Sequence, residues 1–146
     1  MASEFKQRRI VEFSDTDAAG IMHFANFFRY MEQAEHAFLR SLGLSVHTPT
    51  PQGTIGFPRV STHCDYVHPL RFEDEIEVHL RVREVTDKTI TYDFSFRNLA
   101  KPYPPDAANG SLKVICVLIG DGDESMRVVS IPDQVASKIE PAPPAR

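Results

Sequence analysis

The sequence predicts an α+β fold, with an antiparallel sheet of about five to six strands wrapped around one long central helix. Three observations carry this expectation. One segment, and only one, shows a long apolar stripe at helical spacing. Downstream, apolar and polar residues alternate strictly, the mark of a sheet with one face buried. The order is strand, helix, then a run of strands joined by short turns, so the sheet can close around the helix that precedes most of it.

The elements follow in chain order. Lys6–Phe13 reads as a first strand, and Asp17-Ala18-Ala19-Gly20 as a small-residue turn. Phe27, Met31, Ala34, Phe38 and Leu42 recur at steps of 4, 3, 4 and 4, one face of a helix from Phe27 to Leu42. Asn26 is expected as its N-cap, and Gly43 as the C′ stop. Thr48–Gly56 reads as a loop and Phe57–Val67 as a strand. Ile76, Val78, Leu80 and Val82 alternate with Glu77, His79 and Arg81, and Ile90, Tyr92, Phe94 and Phe96 with Thr91, Asp93 and Ser95. Asp87-Lys88 between them is the expected hairpin turn. Residues from Lys113 to Ile119 are apolar on both faces, which predicts one central or interface strand. A turn at Asp121-Gly122-Asp123 leads into a last strand, Met126–Ile131, and Lys101-Pro102-Tyr103-Pro104-Pro105 reads as a rigid turn. Residues 1–140 are expected as a single domain, with a Pro/Ala-rich tail, 141–146, that frays. The sheet face away from the helix needs cover, which predicts a dimer or larger assembly.

Composition narrows the function classes. The chain has 146 residues and a net charge of −4. A domain of that size buries roughly 68–70% of its unfolded surface and needs no staple. No basic face invites nucleic acid. No apolar run approaches the roughly 20 residues of a membrane helix, so no membrane partner is expected. The N-terminus shows no basic run followed by an apolar core, which makes the cytoplasm the expected location. Cys64 and Cys116 are 52 positions apart and belong to no CxxC pair, so both are expected as free thiols. His63 and Cys64 would point to opposite faces of a strand, so they do not converge with His68 on a metal. No Gly-x-Ser-x-Gly elbow and no Gly-rich phosphate loop is present, and no metal or cofactor is expected.

The densest chemical signal is the stretch from Glu12 to Asn26, Glu-Phe-Ser-Asp-Thr-Asp-Ala-Ala-Gly-Ile-Met-His-Phe-Ala-Asn. It leads directly into the helix. Amides at a helix N-terminus favour negative charge in front of them, the environment an oxyanion needs. A carboxylate on the preceding turn can serve as general base or nucleophile. The same residues also fit a capped helix carrying solvated aspartates.

The Asp-x-x-Gly-Ile turn before a helix opening at Asn resembles the hotdog-fold thioesterases, most closely the 4-hydroxybenzoyl-CoA and YbgC-like acyl-CoA branch. The resemblance covers nearly the whole chain, including Gly56–Tyr66, Pro69-Leu70-Arg71-Phe72-Glu73-Asp74-Glu75 and Ile131-Pro132. It implies a hotdog fold, hydrolysis of an acyl-CoA or aroyl-CoA thioester without a cofactor, and an active site between two subunits. It implies that Asp17 attacks the thioester carbonyl or activates the water that does. It implies that the Phe24 backbone amide polarises that carbonyl, that Gly20 lets the backbone pass close to substrate, and that Asn26 caps the helix and holds the loop. Glu32 matches an acidic helix position near the acyl pocket, with Phe24, Phe28 and Phe57 expected to line it. Two departures stand out. His23-Phe24 replaces the Tyr-His order common in YbgC-like members, so His23 is a shifted candidate for the site. The turn at Glu84-Val85-Thr86-Asp87-Lys88 keeps only Lys88 where the 4-hydroxybenzoyl-CoA branch has several basic residues for the CoA phosphates.

Three functions remain open at this point. The first is an acyl-CoA thioesterase. The second is a thioesterase acting on acyl-carrier-protein thioesters, suggested by the weakly basic turn. The third is a non-catalytic module binding an acyl or aromatic ligand in the same cleft. In each, the resemblance implies a homo-oligomer, with a dimer of dimers expected.

Overall fold

The structure is a computed structural model describing residues 1–100, 105–120 and 125–144. Its strands are β1 (Glu4–Ile10), β2 (His47–Thr50), β3 (Gly53–Gly56), β4 (Arg59–Tyr66), β5 (Glu75–Val85), β6 (Thr89–Asn98), β7 (Asp106–Ile115), β8 (Val117–Ile119) and β9 (Met126–Val128). The long helix α1 is Asn26–Ser41, and a single-turn helix α2 is Asp133–Ala136. The main sheet has the order β1-β5-β6-β7-β4, and a smaller one the order β2-β3-β8-β9. Every strand pair among the described residues is antiparallel.

The apolar stripe does what its spacing predicts. Phe27, Met31, Ala34 and Phe38 are buried, Leu42 is half-buried, and Tyr30, Glu35 and Leu39 join them. Helix α1 packs on the inner face of the main sheet, where Ile76, Val78, Leu80 and Val82 of β5 and Ile90, Tyr92, Phe94 and Phe96 of β6 are buried. Gly110 of β7 permits this approach. A Cβ there would lie 2.1 Å from Met31 Cε and 2.9 Å from the His63 carbonyl oxygen, closer than atoms tolerate. The helix ends as expected. Gly43 has φ 73, its amide donates to the Arg40 carbonyl, and Leu44 donates to Leu39, the paired bonds of a Schellman motif.

Several expectations are corrected. The strand expected from Lys113 to Ile119 is two strands. Its apolar residues serve two sheets: β7 ends at Ile115, the Cys116 amide turns to the Lys88 carbonyl, and β8 joins β3 and β9. The Thr48–Gly56 loop is the hairpin β2–β3. β7 begins at Asp106, seven residues before the apolar run, because Ala108 and Gly110, paired with the buried Phe96 and Phe94, are small enough to sit on the helix-facing side. Asn26 is the first helical residue rather than the cap, a position taken by Ala25. The tail does not fray throughout, because the Ala142 amide donates to Val82 on β5. The outer sheet face needs no apolar cover. Its register lines up Glu4, Lys6 and Arg8 with Arg81, His79 and Glu77, then Asp93 and Ser95 with Ser111 and Asn109. The turns expected at 101–105 and 121–123 fall outside the described residues, Pro105 apart. Cys64 and Cys116 are both free, the second buried.

Candidate active site

The segment between β1 and α1 folds back on itself and is tied by its own backbone hydrogen bonds. A single 3-10 turn, Phe13–Asp15, follows β1. Thr16 then bridges Met22, the Asp17 amide donates to Ile21, and the Gly20 amide donates to Asp17. These bonds close a three-residue loop, Ala18-Ala19-Gly20, whose last residue must be left-handed. Gly20 takes that place at φ 78. Its role is therefore set by the turn.

Asp15 and Asp17 are two positions apart and have opposite fates. Asp15 is spent on structure. Its carbonyl accepts the His23 amide and the Asn26 side-chain amide, both at 2.8 Å, and its carboxylate accepts the buried Tyr30 hydroxyl. Burial, then the bond to Asp15, pushes the Tyr30 phenol well above its usual range, so it stays a donor. The Arg9 guanidinium covers the Tyr30 ring, 4.4 Å from its centroid. Asp17 uses only Oδ1, which accepts the Ala19 amide at 2.9 Å. Its Oδ2 has no partner among the described residues.

The start of the helix supplies a matching donor. The His23 carbonyl accepts the Asn26 amide at 2.9 Å, which fixes the peptide plane between His23 and Phe24. In a trans peptide the Phe24 N–H then points the opposite way, out of the helical turn. It has no acceptor among the described residues. The Tyr66 hydroxyl holds the same residue from the other side, donating to the Phe24 carbonyl at 3.0 Å.

Asp17 and Phe24 line one cavity of about 420 Å³. Ile21, Met22, Phe27, Tyr66, Val67, His68 and Pro69 complete its wall. Met22 and Phe27 are buried at its floor, and Phe24, Tyr66 and Val67 stand exposed at its rim. Phe27 meets Tyr66 and Phe96 edge-on, at 5.0 and 5.1 Å between ring centroids. The cavity is thus apolar, aromatic and large enough for a small-molecule group, and its lining residues include Asp17, with its half-free carboxylate, and Phe24, with its free amide.

The remaining expected residues lie elsewhere. His23 does not line the cavity: its Nδ1 accepts the Ala25 amide at 3.1 Å and its ring stacks on Phe24. Asn26 braces the loop through Asp15. Phe28 is half-buried against the core. Glu32 and Phe57 line a second cavity of about 430 Å³ with His36, His47 and Arg59. There Arg59 binds buried Glu35 through both nitrogens, at 2.8 and 2.9 Å, and Glu32 at 3.0 Å. Lys88 is exposed in the β5–β6 turn. It precedes Thr89, which pairs with Ile115, whereas Tyr66 pairs with Ala108. At about 3.4 Å per residue, the turn and the Asp17 cavity sit roughly 24 Å apart along the sheet. Tyr66 and His68 were not anticipated from the sequence, since a strand's end carries no periodic signal. Among the described residues, no group of three or more His, Cys, Asp or Glu is placed to hold a metal.

Comparison with known proteins decides the family. Residues 11–139 match the model of the thioesterase-like superfamily. The chain belongs to the thioesterase-like superfamily. It has the hotdog fold and is a thioester hydrolase. It is similar to a putative esterase of Aquifex aeolicus, 33% identical over 131 residues that cover 90% of this chain and 94% of that one. It is similar to the 1,4-dihydroxy-2-naphthoyl-CoA hydrolase of Trichodesmium erythraeum, 29% identical over 77% of this chain and 81% of the relative. Among solved structures, a gentisyl-coenzyme A thioesterase superposes with a TM-score of 0.74 at 28% identity, covering 92% of this chain and 98% of the other.

Proposed function

We propose that this thioesterase hydrolyses an acyl-CoA thioester, with an aroyl group as the favoured acyl part. One observation carries the reading: Asp17, whose Oδ2 is unpartnered among the described residues, and Phe24, whose amide is unpartnered there too, line the same apolar cavity. The thioester carbonyl oxygen accepts the Phe24 N–H, whose worth rises as negative charge develops there. Asp17 takes the proton of an attacking water, and the hydroxide bonds to the carbonyl carbon. When the tetrahedral intermediate collapses, the C–S bond breaks, and the proton held by Asp17 leaves with the thiolate as free thiol. The alternative is attack by Asp17 itself on the carbonyl carbon, which breaks the C–S bond, releases the thiolate and leaves a mixed anhydride that water opens to the free acid and the restored Asp17 carboxylate. Phe27, Phe24 and Tyr66 suit a flat acyl group, and relatives named for naphthoyl-CoA and gentisyl-CoA substrates support an aromatic one.

A thiol-release assay over short-chain, long-chain and aromatic CoA esters, each paired with the matching carrier-protein ester, tests this. Turnover of an aromatic CoA ester is the expected result. Faster turnover of the carrier-protein ester would favour the second reading, for which the lone Lys88 in the β5–β6 turn speaks. Ligand binding with no turnover of any thioester would leave only a binding module.

The same reading includes a homodimer. β4 is an edge strand with Val60 and Tyr66 exposed, about half of each in solvent, and such an edge invites pairing with another chain. Antiparallel pairing of β4 with its copy would bring the Arg59 end of one subunit beside the Tyr66 end of the other. Glu32, Phe57 and Lys88 of one copy would then stand near the Asp17 cavity of its partner. Light scattering is expected to give a dimer or a multiple of it. Val60→Glu should yield monomers with at least about tenfold lower turnover, since it sets like charges across the edge. A fully active monomer would refute the arrangement.

A further inference from the structure

We propose that His68 is a specificity-determining residue, whose Nε2 accepts a hydrogen bond from a hydroxyl on the acyl group. The inference rests on the thioesterase reading above. His68 lines the Asp17 cavity. Its Nδ1 lies 2.8 Å from the Asp106 carbonyl oxygen. A carbonyl only accepts, so Nδ1 must carry the proton. In the neutral ring this leaves Nε2 as a lone-pair acceptor, with no partner among the described residues. The Nδ1 bond to Asp106 orients the ring, and the backbone that carries it is held because the Val67 and His68 amides both donate to the Ala107 carbonyl, at 2.8 and 3.0 Å.

The rest of the wall makes this acceptor selective. The side chains of Ile21, Met22, Phe27, Val67 and Pro69 offer no polar atom. The Tyr66 hydroxyl is spent on the Phe24 carbonyl. Asp17 is committed to the hydrolytic step itself. Among the side chains that line the cavity within one subunit, Nε2 of His68 is therefore the acceptor left over for substrate recognition, and an acceptor held on a largely apolar wall favours a ligand with a donor in register. A hydroxylated aromatic acyl group supplies that donor on a flat apolar body. An unsubstituted one leaves Nε2 to water.

The test compares benzoyl-CoA with its 2-, 3- and 4-hydroxy derivatives. Wild type is expected to favour at least one hydroxy isomer in kcat/KM, by about 3- to 10-fold for one neutral hydrogen bond. In His68→Ala that ratio should collapse towards one, and His68→Gln, which keeps an acceptor, should recover part of it. A general loss of folding or catalysis lowers all four substrates together and leaves the ratio alone. An unchanged ratio in His68→Ala overturns the proposal, as does a wild type indifferent to the hydroxyl. Calorimetric binding of 4-hydroxybenzoate and benzoate to wild type and His68→Ala separates the two ideas. If no thioester is cleaved, the thioesterase reading fails, while a binding preference for the hydroxyacid that needs His68 sustains the recognition role. Equal binding of both acids by both proteins, without turnover, ends both.

Discussion

Asp17→Asn is expected to lower kcat by about 10²–10⁴-fold, the range of a positioned general base, with KM shifted far less. The substitution is nearly isosteric. The Asn side-chain oxygen can still accept the Ala19 amide, so the loop closed by the Thr16–Met22 bridge should survive. What is lost is the unpartnered Oδ2 and its capacity to take a proton. Asp15→Asn is the informative control, because that carboxylate is held by Tyr30 and serves the loop. It should cost less activity and more thermal stability. Thiol release under saturating and limiting substrate separates kcat from KM. If Asp17→Asn hydrolyses the best ester as fast as wild type, the assignment of Asp17 is wrong.

Arg59→Ala is expected to destabilise the fold by about 3 kcal/mol near neutral pH, the lower end for breaking a buried ion pair, since Arg59 keeps some exposure. Glu35 is 1% exposed and depends on Arg59 for two hydrogen bonds. Burial pushes the Glu35 carboxyl above its usual value, against the pull of Arg59. Removing the guanidinium removes that pull and raises the carboxyl further. A carboxyl raised in the folded state favours the protonated fold. The penalty is therefore absent below the unfolded value of about 4.3 and grows as pH rises through the folded value. The gap in Tm between wild type and Arg59→Ala should be small near about pH 5 and wide near about pH 8. Glu35→Leu combined with Arg59→Met should recover much of the loss, because apolar replacement removes the stranded charge. A gap that does not change with pH would show that Glu35 is not the group left exposed to the penalty.

The two carboxylates near the helix show how far sequence reasoning reaches. Asp15 and Asp17 carry the same chemistry on the same short segment, and composition cannot rank them. The resemblance selects Asp17. The structure supplies the physical difference, since Tyr30, fifteen residues on, occupies the carboxylate of Asp15 and leaves Asp17 half free. His23 and His68 exchange importance for a similar reason. His23 adjoins the motif, yet its ring is consumed by the Ala25 amide. His68 lies between the segments that carry the resemblance and reaches the cavity only because β4 brings its end beside the helix start.

By itself, the sequence determined the helix, its stop at Gly43 and the buried faces of β5 and β6, because periodicity and left-handed turns are local properties. It also determined the loop that presents Asp17, through the small residues ending in Gly20. Only the tertiary structure decided that one apolar run serves two sheets across Cys116, that β7 starts among small residues, and that Arg59 neutralises Glu35. It alone separated Glu32, Phe57 and Lys88 from the Asp17 cavity. The physical reason is common to all of these. Each depends on which distant backbone lies alongside, and strand pairing across tens of residues leaves no mark on local spacing.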